Sequence, residues 1–174
     1  MERGEIVDCP SPERWLHVLI KDAKIEIGAA YIPNAERSKT EKVEYWRWLL
    51  DAGEKLVSRT AIICGDFNTG LPYIDERGKT LQCADYMGLM LESQWTDLWR
   101  MFHPQDRASS WWSSVGNGFR LDHAFGSPTM AARCGGSEYV TMIEDQCVAH
   151  PSRIHDGCSQ KALSDHSMLT IDVE

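Results

Sequence analysis

The chain has 174 residues, 43% of them hydrophobic, which is enough for one domain with a buried core. Its 26 Asp and Glu residues outnumber its 18 Lys and Arg residues and give a formal net charge of −8. This balance excludes a protein that holds nucleic acid through bulk positive charge. If the chain binds phosphate, the compensating positive charge must be local, and a bound divalent cation is its obvious source.

The chain should form a single domain over residues 1–174, because it contains no internal repeat, low-complexity tract or linker. Its six cysteines include no Cys-x-x-Cys pair and no Cys/His cluster with zinc spacing. No apolar run reaches membrane-spanning length, and the first residues form no signal-peptide core. We therefore expect a cytoplasmic protein with no membrane partner.

The first elements along the chain are two strands and a helix. Apolar runs at residues 15–20 and 25–31 flank a polar turn and predict the strands. Either Ser38 or Thr40 can then cap a helix. Apolar residues recur at three- and four-residue steps across residues 43–57, which is typical of a helix with one buried face.

The rest of the chain continues the mixture of strands and helices. Residues 60–64 are continuously apolar and predict a buried strand. Residues 81–92 predict a second helix whose inner face carries Leu81, Ala84, Gly88 and Leu91. Further strands, joined by loops rich in Gly, Ser and Asn, are predicted at residues 109–112, 119–125, 138–143 and 167–173. This order indicates a layered α/β protein.

The first motif that could carry out chemistry is Gly65-Asp66-Phe67-Asn68, directly after the buried strand. A carboxylate and an amide two residues apart project to the same side of the rim of a sheet, where ligands collect. Asp66 could bind a cation or accept hydrogen bonds, and Asn68 could both donate and accept hydrogen bonds. The sequence is also a common turn, so the motif alone leaves both interpretations open.

The second motif is Ser164-Asp165-His166-Ser167, which opens the last predicted strand. Adjacent Asp and His side chains cannot both point into an apolar core, so a surface turn is one interpretation. The functional interpretation assigns Asp165 to a divalent metal ion and His166 to a phosphate group.

The third motif is Arg120-Leu121-Asp122-His123, in which Asp122 is an isolated carboxylate within an apolar strand. A buried carboxylate costs several kcal/mol unless it is paired, so Asp122 needs a partner. We predict that the partner is His166, because a carboxylate behind an imidazole fixes its tautomer and favours its charged form.

Four motifs in register give the chain a resemblance to the endonuclease/exonuclease/phosphatase superfamily. They are Ala30-Tyr31-Ile32-Pro33-Asn34, Gly65-Asp66-Phe67-Asn68, Arg120-Leu121-Asp122 and Ser164-Asp165-His166. Ser110-Trp111-Trp112 adds a resemblance to the branch of exonuclease III and the abasic-site endonucleases. The resemblance implies a layered α/β sandwich of two mixed β-sheets flanked by helices. It also implies metal-dependent hydrolysis of phosphodiester bonds in DNA, the chemistry of a repair nuclease.

The resemblance also implies roles for single residues. Those that meet the phosphate or the attacking water are Tyr31, Asn34, Asp66, Asn68, Asp122 and His166. His166, backed by Asp122, would stabilise charge on the transition state, while Asp66 would orient or deprotonate the water. Asp165, with Asp66, would bind Mg²⁺, for which Mn²⁺ is a substitute.

Three apolar residues, Trp111, Phe119 and Leu121, resemble the pocket that abasic-site enzymes use for an extruded sugar. Flipping a nucleotide costs least where no base is stacked, which suits this pocket to damaged DNA. The alternative is that Trp111 and Trp112 alternate between the core and the surface of a strand.

Members of this superfamily carry an opening third before the equivalent of Trp15, which supplies an Asn and the principal Glu ligand of the metal. We therefore expect a chain that is truncated relative to the family, binds Mg²⁺ weakly and hydrolyses DNA slowly. Uncovered sheet edges would favour a homo-oligomer. Two other functions stay open, a phosphatase on phosphoinositide-like small phosphoesters and a catalytically inactive remnant or binding module.

Overall fold

The structure is a computed structural model that describes residues 1–4, 8–35, 38–78, 81–149 and 162–174. Across these ranges, no helix has the length and apolar character needed to cross a membrane. The central element is a six-stranded mixed sheet in the order β1-β2-β3-β4-β8-β5. Its strands are β1 (Glu2–Arg3), β2 (Trp15–Ile20), β3 (Ile25–Tyr31), β4 (Ala61–Asp66), β5 (Thr96–Asp97) and β8 (Asp122–Gly126). A 3-10 helix, Pro12–Arg14, precedes β2.

Three two-stranded sheets accompany the central one. Their pairs are β6 (Trp111–Trp112) with β7 (Gly118–Phe119), β9 (Cys134–Val140) with β12 (Met168–Val173), and β10 (Met142–Ile143) with β11 (Gln146–Cys147). The helices are α1 (Lys39–Leu56), α2 (Ala84–Glu92), α3 (Leu98–Phe102) and α4 (Pro128–Ala131). Within the central sheet only β3 and β4 run parallel, and α1 makes the crossover between them.

Helix α1 covers one face of the central sheet. Ser38 caps its start, because the Ser38 hydroxyl accepts a hydrogen bond of 3.2 Å from the Glu41 amide. The buried stripe differs from the predicted one and includes Lys42, Tyr45, Trp46, Leu49, Ala52, Gly53 and Leu56. Together with α2 and the inward side chains of β3, β4 and β8, this stripe forms the larger core cluster.

The opposite face of the sheet carries a second cluster, with Ile62, Leu98, Ala124 and Met130 at its centre. Side chains of α3, α4, β9 and β12 pack there, so layers lie on both faces of the sheet. Successive residues of β4 alternate between the two clusters, as the period of a strand requires. The predicted fold class, a layered α/β sandwich, is confirmed.

Three predicted elements were wrong in detail, one of them the strand at residues 138–143, which divides between the end of β9 and β10. Residues 119–125 do not form one strand but divide into β7 and β8, because Arg120 turns inward to buried carboxylates. Helix α2 begins at Ala84 rather than at residue 81, and its buried residues are Ala84, Met87 and Met90. The predicted inner face failed because Leu91 is 36% exposed, whereas the flexible methionines fill the core.

Gly65 is required for the approach of β4 to β3. Its φ is +135°, and a Cβ at this position would overlap the Ala30 carbonyl oxygen. We expect Gly65→Ala to lower the free energy of unfolding by about 1–3 kcal/mol from backbone strain alone. Gly88→Ala is the matched control, because open space surrounds Gly88 in α2. That change should stabilise the protein by about 0.5–1 kcal/mol in urea unfolding. Equal stabilities for the two variants would contradict this account of Gly65.

Candidate active site

The central sheet brings three of the predicted residues into one row. Tyr31 ends β3 and lies opposite Asp66, which ends β4. Asp66 in turn lies opposite Asp122, which begins the antiparallel strand β8. Cross-strand neighbours of this kind have Cβ atoms about 5 Å apart. The strand register therefore places a phenol and two carboxylates side by side.

A cavity of about 450 Å³ opens beside this row. Its lining residues are Tyr31, Asn34, Asp66, Asn68, Leu81, Trp111, Ser113, Phe119, Leu121, Asp165 and His166. Nine of the ten predicted site residues are in this lining, and the tenth, Asp122, contacts one of them. One cavity thus brings these residues together, while their individual roles stay predictions.

The predicted pair of Asp122 and His166 is present. The Nδ1 atom of His166 lies 2.8 Å from Oδ2 of Asp122, although 44 residues separate them in sequence. This hydrogen bond to the carboxylate is the main reason that the pKa of His166 is raised above its ordinary value. The proton on Nδ1 leaves Nε2 as the ring atom that can act on a ligand.

The main chain of Asp122 is held as firmly as its side chain. The buried hydroxyl of Tyr139 on β9 donates a short hydrogen bond to the Asp122 carbonyl oxygen. Ser110 accepts a hydrogen bond of 3.0 Å from the Asp122 amide. Asp122 is thus held at its carbonyl, its amide and its carboxylate.

Asp66 and Asn68 form a closed turn at the end of β4. Asp66 accepts hydrogen bonds from the Asn68 amide at 2.8 Å and from Asn68 Nδ2 at 3.1 Å. The same Nδ2 donates to the Ile32 carbonyl oxygen at 2.9 Å, so both side-chain hydrogens of Asn68 have partners. The side-chain oxygen of Asn68 is therefore the atom left to accept a hydrogen bond or bind a cation. To donate a hydrogen bond to a phosphate, the side-chain amide would have to give up one of these partners.

Burial raises the pKa of Asp66 to about 6, and the facing Asp122 carboxylate adds to the shift. A carboxylate with a pKa close to the working pH suits a general base, because its basicity increases while the ionised form is still present at neutral pH.

Lys42, on α1, holds the main chain of this turn. Its side chain is buried on α1, and its ammonium group donates a hydrogen bond of 2.6 Å to the Asn68 carbonyl oxygen. Asn68 has a left-handed backbone with φ +46°, which the contact helps to hold. Burial lowers the pKa of Lys42 to about 8. Sequence reasoning missed Lys42, although a lysine on the apolar face of a helix was the available signal.

An apolar wall closes one side of the cavity. The rings of Trp111 and Phe119 lie 5.8 Å apart across the β6–β7 pair, and Leu121 is buried behind them. Trp111 Nε1 also donates a hydrogen bond of 3.3 Å to Asp165 Oδ2. Trp111 and Trp112 are both half-buried, so neither is simply a core residue.

The cavity lining includes oxygen donors that a partly hydrated divalent cation could use. Mg²⁺ commonly binds through one or two carboxylates and completes its octahedron with waters and substrate oxygens. Asp66 and Asp165 supply two carboxylates, and Asn68 supplies an amide oxygen. Within the described ranges no group of three His, Cys, Asp or Glu side chains could enclose an ion. The donor set is thus suited to a hydrated cation rather than a closed cage.

A buried ion-pair network lies behind the site. Arg120 is fully buried, and its guanidinium binds Asp75 at 2.6 Å and Asp97 at 2.6 Å. Arg100 reaches the same Asp75 oxygen at 3.1 Å. Burial alone would raise the pKa of Asp97, but His123 and Arg120 hold that pKa well below its ordinary range. The network joins the loop that carries Asp75, the junction of β5 and α3, and the segment between β7 and β8, and none of its residues is in the cavity lining.

Two lining residues were not predicted, Leu81 and Ser113. Ser113 could have been inferred, because it follows Trp111 by two residues and so faces the same side of an extended chain. Nothing in the sequence around Leu81 marks it as a cavity residue, since it precedes α2 in a loop.

Comparison with solved structures identifies proteins of the same fold. The 3′ phosphatase NExo from Neisseria, bound to a product DNA hairpin, is 18% identical with a TM-score of 0.77. An AP endonuclease from Archaeoglobus fulgidus is 19% identical with a TM-score of 0.76. Each match covers 99% of this chain and 72% of the other. The APE2 catalytic domain from Xenopus laevis, at 18% identity and a TM-score of 0.65, matches over 90% of this chain and 52% of its own. No protein-family model matches the chain. The chain therefore has the fold expected from the sequence motifs.

Proposed function

We propose that the chain is a Mg²⁺-dependent phosphodiester hydrolase that acts on DNA, of the exonuclease III and abasic-site endonuclease branch. The observation that carries the proposal is the convergence of nine predicted residues on one cavity, with Asp122 hydrogen-bonded to His166 behind it. Solved structures of the same fold include a 3′ phosphatase with a DNA product and an AP endonuclease. The single domain over residues 1–174 is part of the proposal.

The chemistry requires a nucleophile, a donor to the phosphate and a positive charge. Asp66, with its pKa raised to about 6, orients and deprotonates the attacking water. His166, oriented by Asp122, whose hydrogen bond raises the pKa of the imidazole, donates from Nε2 to a phosphate oxygen as charge develops. The hydroxyl of Tyr31, which lies opposite Asp66 in the register and lines the same cavity, would donate to the same phosphate.

A cation must complete this arrangement. Among the residues that the structure describes, the cavity lining includes no Lys or Arg, so His166 is its one cationic side chain. Asp165 and Asp66 would hold Mg²⁺, or Mn²⁺ in its place. The bound ion would supply Lewis-acid neutralisation of the phosphate charge.

The apolar wall favours DNA over a small phosphoester. An inositol phosphate is polar on every side and offers nothing to Trp111, Phe119 and Leu121. A deoxyribose without its base has an apolar face, and extruding it costs little because no stacking is lost. We infer that the substrate is a sugar-phosphate of DNA at a 3′ end or an abasic site.

A substrate panel tests the proposal. The purified chain is incubated with Mg²⁺, Mn²⁺ or EDTA and with a 3′-phosphate duplex, an abasic-site duplex or an inositol phosphate. We expect hydrolysis of DNA that requires the metal ion and no turnover of the inositol phosphate. Turnover of the inositol phosphate alone would establish the phosphoinositide-like alternative. DNA binding without turnover of any substrate would identify a binding module.

A further inference from the structure

Ser110 contacts the start of β8 through its side chain. The residue is completely buried, just before β6. Its hydroxyl oxygen accepts two hydrogen bonds from consecutive amides, Leu121 at 2.9 Å and Asp122 at 3.0 Å. A hydroxyl has two acceptor lone pairs, so one oxygen satisfies both amides where the chain turns from β7 into β8.

The main chain of Ser110 reaches the other half of the His–Asp pair. Its amide donates to the Phe119 carbonyl oxygen at 2.8 Å, and its carbonyl accepts from the Ser167 amide at 2.8 Å. The next residue, Trp111, forms a β-bridge with His166. Ser110 is therefore joined directly to the segment that carries Asp122 and to the segment that carries His166.

A second buried serine allows the contribution of these contacts to stability to be compared with their effect on the site. The far end of β8 has a comparable anchor in Ser127, which is also completely buried. The Ser127 hydroxyl accepts from the Ala61 amide at 3.1 Å and the Met130 amide at 3.3 Å. Neither serine is in the cavity lining, but Ser110 is bonded to Asp122 and to Ser167, the neighbour of His166, whereas Ser127 is bonded to residues 59–61 and 129–131. Both hydroxyls accept from two amides, and that of Ser127 also donates to the Arg59 carbonyl oxygen at 2.6 Å, but only Ser110 is bonded to the segments that carry Asp122 and His166.

We propose that Ser110 is a positioning residue that sets the distance between Asp122 and His166. It does so by fixing the Asp122 amide through its hydroxyl and the His166 segment through its carbonyl. A catalytic group must be held within about 0.5 Å of its productive position. A misplacement of about 1 Å is enough to cost about a hundredfold in rate. The kinetic part of this inference rests on the proposed DNA hydrolysis, whereas its structural part does not.

The test compares Ser110→Ala with Ser127→Ala in the full chain. Each change removes an acceptor from two buried amides, and Ser127→Ala also removes the donor to the Arg59 carbonyl oxygen, so Ser127→Ala should lower Tm at least as much as Ser110→Ala. Only Ser110→Ala should lower kcat for DNA hydrolysis, by about ten- to a hundredfold, with KM little changed. Ser110→Cys keeps the shape of the side chain with a somewhat larger and weaker acceptor atom, so it should fall between the wild type and Ser110→Ala.

A spectroscopic measurement separates this inference from the proposed activity. The proton on His166 Nδ1 reports the hydrogen bond to Asp122 by NMR whether or not the chain hydrolyses DNA. We expect its resonance to shift or disappear in Ser110→Ala and to stay in place in Ser127→Ala. If Ser110→Ala does not fold, Ser110→Cys gives the same comparison. A His166 resonance that is unchanged in the Ser110 variant, or changed equally in the Ser127 variant, would overturn the positioning role.

Discussion

Replacing His166 with alanine is expected to lower kcat for DNA hydrolysis by about 10³-fold, because a positioned acid or donor at the developing charge contributes on this scale. His166 is half-buried, and its side-chain hydrogen bond is to Asp122, so the fold should survive its loss. Single-turnover kinetics on a duplex with a 3′-phosphate, with circular dichroism as the check on folding, would measure the effect.

His103 provides the matched control for this substitution. Its Nδ1 atom also faces an aspartate, Asp106, at 3.2 Å, and its Nε2 atom lies 3.0 Å from the Ser137 carbonyl oxygen. His103 does not line the cavity. We expect His103→Ala to leave kcat unchanged. Equal losses of activity in the two variants would mean that hydrolysis depends on general stability rather than on His166.

Replacing Arg120 with methionine is expected to produce the largest loss of stability, about 3–5 kcal/mol in the free energy of unfolding. The guanidinium is fully buried and neutralises Asp75 and Asp97, which are buried with it. Without it, two carboxylates would remain in a site of low dielectric with their main countercharge removed. Urea unfolding at neutral pH measures the loss.

Arg59→Met is the control, because half of the Arg59 side chain is exposed and its partner Glu26, at 2.9 Å, keeps a second contact with His17. Exposed pairs contribute about 0–1 kcal/mol, so this variant should unfold almost as the wild type does. A loss in Arg120→Met no greater than that in Arg59→Met would contradict the account of the buried network.

The loss of stability in Arg120→Met should depend on pH, because the pKa values of Asp75 and Asp97 are shifted in the folded protein. In the wild type the pKa values of Asp75 and Asp97 lie below their ordinary range. Their contribution to stability is present above the unfolded pKa of about 3.9 and is lost as the pH falls through the folded values. The deficit of Arg120→Met should therefore be largest at neutral pH and shrink as the pH approaches 3. A constant deficit would show that lost packing, rather than lost charge, is responsible.

Much of the fold could be predicted because the strongest patterns are local. The strands β2 and β3 have the bounds that their apolar runs predict, and Ser38 caps α1 as its residue type favours. Prediction failed where tertiary contacts override the local pattern. The division of residues 119–125 depends on Arg120 reaching carboxylates 45 and 23 residues away. No periodicity in the segment encodes those distances.

The candidate site was predictable to the extent that its residues stand in recognisable motifs. Asp122 and His166 were paired from one isolated carboxylate and one histidine, and the structure places them 2.8 Å apart. The supporting residues could not be found in this way. Ser110, Lys42 and Tyr139 act on main-chain atoms, and any sequence can supply a main-chain amide or carbonyl. Which amide or carbonyl they reach is decided by the folded chain.

The most direct test of the proposed active site is the position of a phosphate in a complex. A crystal structure of the chain with a short duplex that carries a 3′-phosphate would show it. We expect a phosphate oxygen within hydrogen-bond distance of His166 Nε2 and of the Tyr31 hydroxyl, with the terminal sugar against Trp111 and Phe119. A phosphate bound elsewhere on the surface, with the cavity between Asp66 and His166 left to water, would contradict the assignment.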